Sequence, residues 1–88
     1  MNSWLVKRTD PFLKHLKKQR TNHELLQALD KKIKRLQEDP TIVGGNLAGD
    51  LHGLKSTRLI KNFRLIFKID EGNKIVYLVA IDHRKDVY

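Results

Sequence analysis

Apolar residues in the first half of the chain recur at the spacing of a helix. They are separated by four, four and three positions, which places them on one stripe formed by Leu25, Leu29, Ile33 and Leu36. Leu26 widens this stripe. Asn22 can accept hydrogen bonds from the first free amides, and Pro40 prevents the helix from continuing. The pattern therefore predicts an amphipathic helix over residues 23–39.

A short strand and a first helix are predicted before it. Residues 3–8 have the pattern of a strand whose inward face holds Trp4 and Val6. Asp10 is predicted to cap the helix that follows, because its carboxylate can accept from the first free amides and Pro11 loses no hydrogen bond at the first helical position. The apolar side of this helix then holds Phe12, Leu13 and Leu16. With a break at residues 21–22, the two helices predict an antiparallel hairpin.

The apolar period changes to two in the second half of the chain. Strands are predicted over residues 54–60, 63–69 and 74–81, joined by tight turns at 61–62 and 70–73. The last strand is apolar almost throughout, which predicts a central strand covered on both faces. A glycine-rich loop precedes the strands, and no Gly-Lys-Ser/Thr sequence follows it to make a phosphate-binding loop.

These elements predict an α+β fold in a single domain over residues 1–88. The predicted order is β-α-α-β-β-β, with a helical hairpin packed on a small, mainly antiparallel sheet. The first strand is expected to pair at an edge of the three-strand meander.

Positive charge is the feature of the composition that bears on function. Lysine and arginine total 18 against 10 acidic residues, which gives a net charge of +8. Such a field favours polyanionic partners: RNA, DNA, anionic lipid or an acidic protein. The alternative is that most lysines of the helical hairpin simply form a solvated face.

Several function classes are disfavoured by what the sequence lacks. There is no cysteine, and the four histidines lack the spacing of metal ligands, so no metal or other cofactor is expected. The first residues do not have the pattern of a signal peptide, and no apolar run approaches the roughly 20 residues that span a membrane. A cytoplasmic protein without a membrane partner is therefore expected, with His15 and His23 on the surface of the helical hairpin.

Two strings in the second half of the chain carry a family resemblance. In DLHGLKSTRLIKNFRLIFKID, a Leu-x-Gly stretch leads to a strand with Arg58, a tight turn, and an Arg-Leu-Ile-Phe strand that begins at Arg64. In the tail IDHRKDVY, His-Arg ends the last strand and a tyrosine follows. Together with the order of the elements, these strings resemble the RelE/ParE toxin superfamily. The likeness is residue-specific from about Asn46 to Tyr88.

The resemblance implies a toxin of a type II toxin–antitoxin system. RelE-like and YoeB-like members cut mRNA in the ribosomal A site, whereas ParE-like members poison DNA gyrase and lack the nuclease residues. Because the arginine and His-Arg positions are retained, a metal-independent, ribosome-dependent mRNA endonuclease that inhibits translation is expected. The alternatives are a ParE-like gyrase poison and an inactive toxin homologue or basic RNA-binding domain.

The resemblance also assigns phosphate-binding residues. Arg58 and Arg64 are expected to approach each other across the hairpin and to hold the scissile phosphate through their planar donor groups. Arg84 matches the closing arginine of the family, and Lys61 in the turn is a further candidate phosphate contact. The alternative for Arg64 is a surface arginine paired with a carboxylate.

Three further residues are candidates, and two of them, Tyr88 and His83, have a structural alternative. Tyr88 matches the tyrosine that in RelE-like proteins stacks on a base or takes part in proton transfer, and its alternative is a frayed chain end. Lys55 matches a lysine near the RelE active site, but the second lysine of the family falls on Thr57. His83 could act as an acid or a base. Its alternative is a strand-end residue that points away from Arg84, because neighbouring strand residues face opposite sides.

Either toxin interpretation implies a partner protein. A cognate, RelB-like antitoxin is expected to form a hetero-oligomer with the toxin. Its chain, extended and acidic in part, would cover the exposed sheet edge and the groove between sheet and helices. The ribosome and mRNA would be the partners of the active toxin.

Overall fold

The computed structural model describes residues 4–46 and 53–83 of the chain. Its elements, in chain order, are β1 (Leu5–Arg8), α1 (Asp10–Lys18), α2 (His23–Glu38), β2 (Gly45–Asn46), β3 (Leu54–Arg58), β4 (Phe63–Asp70) and β5 (Ile75–His83). The predicted α+β class and order are confirmed. The two-residue strand β2 is an addition, because so short a strand has no period to detect. Within these ranges no helix is long and apolar enough to cross a membrane.

The strands form one five-stranded sheet in the order β1-β5-β4-β3-β2. β1 runs parallel to β5, and the other neighbouring pairs are antiparallel. The prediction that the first strand joins the meander at its edge is therefore confirmed. This pairing places the start of the chain against its last described strand.

Both helices pack on one face of the sheet. α2 buries its predicted stripe, and α1 buries Phe12. The sheet contributes the remaining core side chains Phe63, Leu65, Phe67, Val76, Leu78 and Ile81, together with Val43 from the segment before β2. Each fully buried Leu or Phe contributes roughly 1.5–3 kcal/mol relative to an exposed one. Leu13 is 44% exposed, so the apolar side of α1 is narrower than predicted.

Asn22 begins α2 as the sequence predicts. Its Oδ1 accepts a hydrogen bond from the Leu25 amide at 3.2 Å. α2 ends at Glu38, and a 3-10 turn over Pro40–Ile42 follows, so Pro40 does stop the α-helix.

The cap of α1 differs from the prediction. Thr9, not Asp10, occupies the N-cap, and its Oγ1 accepts from the Phe12 amide at 3.4 Å. The same hydroxyl donates to the Leu78 carbonyl at 2.7 Å. Asp10 lies inside the first turn. Thr9 is favoured because one side chain both caps the helix and bonds it to β5.

A bulge in β5 decides which of its side chains face the helices. The register with β4 skips Val79 next to the Phe67–Leu78 pair. One extra residue shifts the alternation of a strand by one position. Leu78 and Ile81, which are three positions apart, are consequently both buried.

The sheet face opposite the helices, which we call the open face, is not covered by the part of the chain that the structure describes. Tyr77 and Ala80 on β5 and Ile66 on β4 are only half-buried there. β5 is central in the sheet, as predicted, because β1 and β4 flank it, but among the described residues only its helix side is covered. The helices bury one face of β5, and the apolar residues of the other face remain partly accessible.

Candidate functional site

Two arginines and an aspartate form a row across one end of the open face. Arg58 on β3 pairs in register with Arg64 on β4, and Arg64 pairs with Asp82 on β5. Residues directly opposite each other on antiparallel strands share a face and have Cβ atoms roughly 4.5–5.5 Å apart. Leu65 is buried under the helices, so its neighbour Arg64 lies on the open face. We call these three residues the arginine row.

The tight turn between β3 and β4 sets this pairing. Lys61 has a φ of 45°, in the left-handed region. The Phe63 amide donates to the Ile60 carbonyl at 2.7 Å, and the Leu59 amide donates to the Phe63 carbonyl at 2.9 Å. These bonds fix the register of the hairpin, and the two arginines face each other as expected.

The two guanidinium groups have different surroundings. Arg64 is half-buried, and its Nη1 donates to the Ser56 hydroxyl at 3.4 Å, while Arg58 is exposed. Neither forms a salt bridge with a carboxylate of residues 4–46 or 53–83. Like charges directly opposite each other are destabilising. An anion bound between them would remove the repulsion, and phosphate oxygens suit the donor geometry of guanidinium groups.

Asp82 belongs to the arginine row, although the sequence alone did not predict its place there. It lies opposite Arg64, at the β5 end of the arginine row. Its only signal in the sequence is its position beside His83 in the tail motif. The pairing of β4 with β5 is what relates it to Arg64.

His83 lies on the other face of the sheet. It pairs with Phe63, and the two rings stack with centroids 4.2 Å apart and an angle of 9° between their planes. Phe63 belongs to the core on the helix side. His83 therefore points away from Arg64, since its neighbour Asp82 occupies the open face.

Lys55 is also separated from the arginine row. It pairs with the fully buried Phe67, which places it on the helix side of β3. Its Nζ donates to the Thr41 carbonyl at 3.4 Å. Thr57, at the position of the second family lysine, pairs with the buried Leu65 on the same side. The residue of β3 that contacts Arg64 is instead Ser56.

Lys61 lies at the tip of the hairpin, outside the arginine row. Its Nζ is 4.0 Å from Glu24 Oε1, and both side chains are 76% exposed. Such an exposed pair contributes about 0–1 kcal/mol. Lys61 is therefore available to a partner of the hairpin tip.

Arg84 and Tyr88 lie outside the described residues. The positions of Arg84 and Tyr88 relative to the arginine row stay predictions.

His15 has a structural contact that the sequence did not indicate. It is half-buried, and its Nδ1 accepts from the Ile81 amide at 3.2 Å. β1 ends at Arg8, opposite Leu78, so it does not extend along β5 as far as Ile81. His15 of α1 satisfies that edge amide instead. His23 is exposed, as expected.

Two carboxyl groups with shifted pKa values lie in turns away from the arginine row. Hydrogen bonds from Thr41 to the Asp39 carboxylate lower the pKa of Asp39, with the largest effect from the Thr41 hydroxyl and the next from its backbone amide. Hydrogen bonds from Asn73 lower the pKa of Asp70 in the same way, first from the side-chain amide and then from the backbone amide. These shifts reflect local turn structure.

The fold and sequence match known toxins over almost the whole chain. A protein from Methanocaldococcus jannaschii with the name RelE4 is 33% identical over 79 residues, which cover 90% of this chain and 81% of that protein. The toxin–antitoxin complex RelBE2 from Mycobacterium tuberculosis contains a chain of similar structure, with a TM-score of 0.80 and 28% identity. That likeness covers 98% of this chain and 97% of the other.

A third likeness concerns the fold alone. YafQ from Escherichia coli superposes with a TM-score of 0.75 at 14% identity, covering 93% of this chain and 94% of YafQ. The sequence model of the ParE toxin of the type II toxin–antitoxin system parDE matches residues 6–88. The chain therefore belongs to the ParE toxin family of type II toxin–antitoxin systems, within the RelE/ParE superfamily.

Proposed function

We propose that this toxin is a ribosome-dependent endonuclease that cleaves mRNA. The observation that carries the proposal is the Arg58–Arg64 pair, in which two cations face each other on the open face without a salt bridge to a described carboxylate. A structural pair of this kind would cost stability without an anion. A phosphodiester group is the anion that the reaction provides.

The proposed reaction is an attack of the ribose 2′-hydroxyl on the adjacent phosphorus. The new bond joins the 2′-oxygen to phosphorus, and the bond from phosphorus to the 5′-oxygen breaks. A base removes the 2′-hydroxyl proton, and an acid protonates the leaving 5′-oxygen. The products are a 2′,3′-cyclic phosphate and a 5′-hydroxyl. The two guanidinium groups would stabilise the added charge on the phosphorane oxygens.

The proposed roles divide between the described hairpin and the tail. Arg64 holds the phosphate, Ser56 orients Arg64 through its hydroxyl, and Arg58 neutralises the second oxygen. Arg84 and Tyr88 are proposed to complete the site, with Tyr88 stacking on a base or transferring a proton. His83 and Lys55 face the helix side, which makes them weaker candidates for proton transfer.

An antitoxin partner is also proposed. The related RelBE2 structure is a toxin–antitoxin complex. In this chain, β2 is a two-residue edge strand, and the open face leaves apolar side chains partly accessible. A RelB-like chain that folds on binding can cover such surfaces and hold the toxin inactive in a hetero-oligomer.

The test is expression of the wild type, Arg64→Ala and Arg84→Ala, with primer extension on translated mRNA. The wild type is expected to arrest growth and create new 5′ ends. Loss of one charge-stabilising group should lower cleavage on the order of 10²–10³-fold. Arg35→Ala, an exposed arginine of α2, serves as the matched control and should cleave like the wild type. Growth arrest without new 5′ ends would refute the nuclease.

A ParE-like gyrase poison is the second candidate. It is favoured by the family model, which describes the ParE toxin of parDE and matches residues 6–88. This candidate predicts double-strand DNA breaks and retention of gyrase by the toxin, with translated mRNA left intact. It also predicts that Arg64→Ala remains toxic unless the arginine contacts gyrase directly.

A further inference from the structure

A second row of side chains crosses the open face. Tyr77 on β5 pairs with Lys7 on β1 and with Lys68 on β4. Val76 and Leu78 on either side of Tyr77 are fully buried on the helix side, so Tyr77 faces the open side. Tyr77 is half-buried, and both lysines are exposed. An aromatic ring is thus flanked by two cations, and we call this set the tyrosine row.

The tyrosine row lies on the same face as the arginine row. On β4, Arg64, Ile66 and Lys68 alternate with buried residues, so their side chains share the open face. Lys68 lies four positions after Arg64, which is roughly 13 Å along the strand at about 3.3 Å per residue. The pair of Ile66 and Ala80 lies between the two rows. The open face therefore has the two arginines at one end and apolar side chains in the middle. The tyrosine row, an aromatic ring between two lysines, lies at the other end.

The tyrosine row has few competing contacts. Among the described residues, Tyr77 makes no hydrogen bond or ring contact, and neither Lys7 nor Lys68 forms a salt bridge. Asp70 is the carboxylate close to Lys68, and its Oδ2 accepts from the Asn73 side-chain amide at 3.0 Å. The ring and the two ammonium groups are therefore available to a ligand from the open side.

Single-stranded nucleic acid has the chemistry that this arrangement fits. Bases stack on aromatic side chains, and lysines along the same groove attract the phosphates. An acidic protein would match the charges but would not need a partly accessible aromatic ring between them. The net charge of +8 adds long-range attraction for a polyanion.

We propose that the tyrosine row binds the RNA strand beside the scissile phosphate. Tyr77 stacks on a nucleobase, and Lys7 and Lys68 hold phosphates on either side of it. Stacking of this kind accepts any base, so Tyr77 adds affinity and positions the RNA strand rather than selecting its sequence. The proposal rests on the proposed function, since it takes the arginine row as the place of the scissile phosphate.

The test measures binding of a short, uncleavable 2′-O-methyl oligoribonucleotide by fluorescence anisotropy. Tyr77→Leu removes the ring and is expected to weaken binding roughly tenfold, whereas Tyr77→Phe keeps the ring and should bind like the wild type. The double variant Lys7→Gln/Lys68→Gln should lower the slope of log affinity against log salt by about 1.4, at about 0.7 for each phosphate contact. Lys31→Gln/Lys34→Gln on α2 is the control with the same charge change and should keep the slope.

A measurement on the wild type keeps the test valid if Tyr77→Leu fails to fold. The ring resonances of Tyr77, identified by their loss in Tyr77→Phe, should shift on addition of the oligonucleotide. Unshifted resonances would overturn the proposal. Equal affinity of Tyr77→Leu and the wild type, or equal slopes for the two lysine double variants, would also overturn it and leave the face to a protein partner.

Failure of this inference can be told apart from failure of the proposed function. If Arg64→Ala abolishes mRNA cleavage but Tyr77→Leu cuts at the same positions and rate as the wild type, the inference fails and the nuclease stands. If the wild type cuts no mRNA while RNA binding still depends on Tyr77, the proposed nuclease activity is refuted and RNA binding by the tyrosine row is supported.

Discussion

Arg64 has neighbours of different charge on the two strands that flank β4. Ser56 accepts a hydrogen bond from it, Arg58 places a like charge opposite it, and Asp82 lies across from it on β5. The proposed anion site rests on this pair, because a bound anion would remove the repulsion between Arg58 and Arg64. The stability of the free protein should therefore report on the site.

We predict that Arg58→Gln stabilises the free protein. Removing one of two facing cations should raise the free energy of unfolding by about 0.2–1 kcal/mol, toward the lower value because Arg58 is exposed. The gain should shrink as salt screens the charges. Thermal unfolding at low and high salt measures it, with Lys31→Gln on α2 as the control of equal charge change. A gain that does not depend on salt would contradict this explanation.

The same residue pair should respond to inorganic phosphate. A ligand that binds only the folded state raises its stability. Phosphate should therefore raise the melting temperature of the wild type more than that of Arg58→Gln, and equal increases would count against a phosphate site at this pair.

The helix α1 depends on one side chain, Thr9, both for its cap and for a hydrogen bond to the sheet. Thr9 caps the helix and also bonds the Leu78 carbonyl of β5, while Phe12 is fully buried one turn later. His15, farther along the helix, satisfies the Ile81 amide of β5. The helix thus completes the hydrogen bonding of β5 where β1 ends.

We predict that Thr9→Ala destabilises the protein by about 0.5–2 kcal/mol, because the Phe12 amide loses its cap and the Leu78 carbonyl loses a donor. Asp10→Ala is the matched control, since Asp10 is exposed inside the first turn and should cost less. Urea unfolding of both variants measures the two losses in free energy of unfolding and shows which residue caps the helix. A larger loss for Asp10→Ala would restore Asp10 as the cap.

For the whole molecule, stability depends on a single core between the helices and one face of the sheet. The open face is left partly accessible, so the burial available to this chain is limited. Small domains bury a smaller fraction of their surface than large ones. A partner that covers the open face would add to stability.

We predict that Leu29→Ala lowers the free energy of unfolding by about 2–5 kcal/mol, because it leaves a cavity under α2. Leu13→Ala is the control, as Leu13 is 44% exposed and its loss should be small. Against a typical total of about 5–15 kcal/mol, the first change is a large fraction. Circular dichroism during urea unfolding measures both. Similar losses for the two variants would show that α2 is not packed as described.

The sequence by itself determined the features that depend on near neighbours in the chain. The stripe from Leu25 to Leu36 and the Asn22 cap defined α2. The short connection after Arg58 brought Arg58 and Arg64 close together, but the predicted turn does not give their direct pairing. A two-residue turn at 61–62 would place Arg58 opposite Leu65, whereas the observed three-residue connection 60–62 places it opposite Arg64. The order of the elements, and with it the family resemblance, followed from such local patterns.

Tertiary structure decided the features that depend on distant strands. The bulge at Val79 shifts the alternation of β5, and the pairing with β4 then places Asp82 beside Arg64 and stacks His83 on Phe63 on the other face. The tyrosine row likewise depends on two strand pairings. The parallel pairing of β1 with β5 places Lys7 beside Tyr77, and the antiparallel pairing of β4 with β5 places Lys68 on its other side. A period-two pattern in the sequence shows that successive side chains lie on opposite faces of the sheet. Only the register with the neighbouring strands determines which residues lie beside each other on the same face.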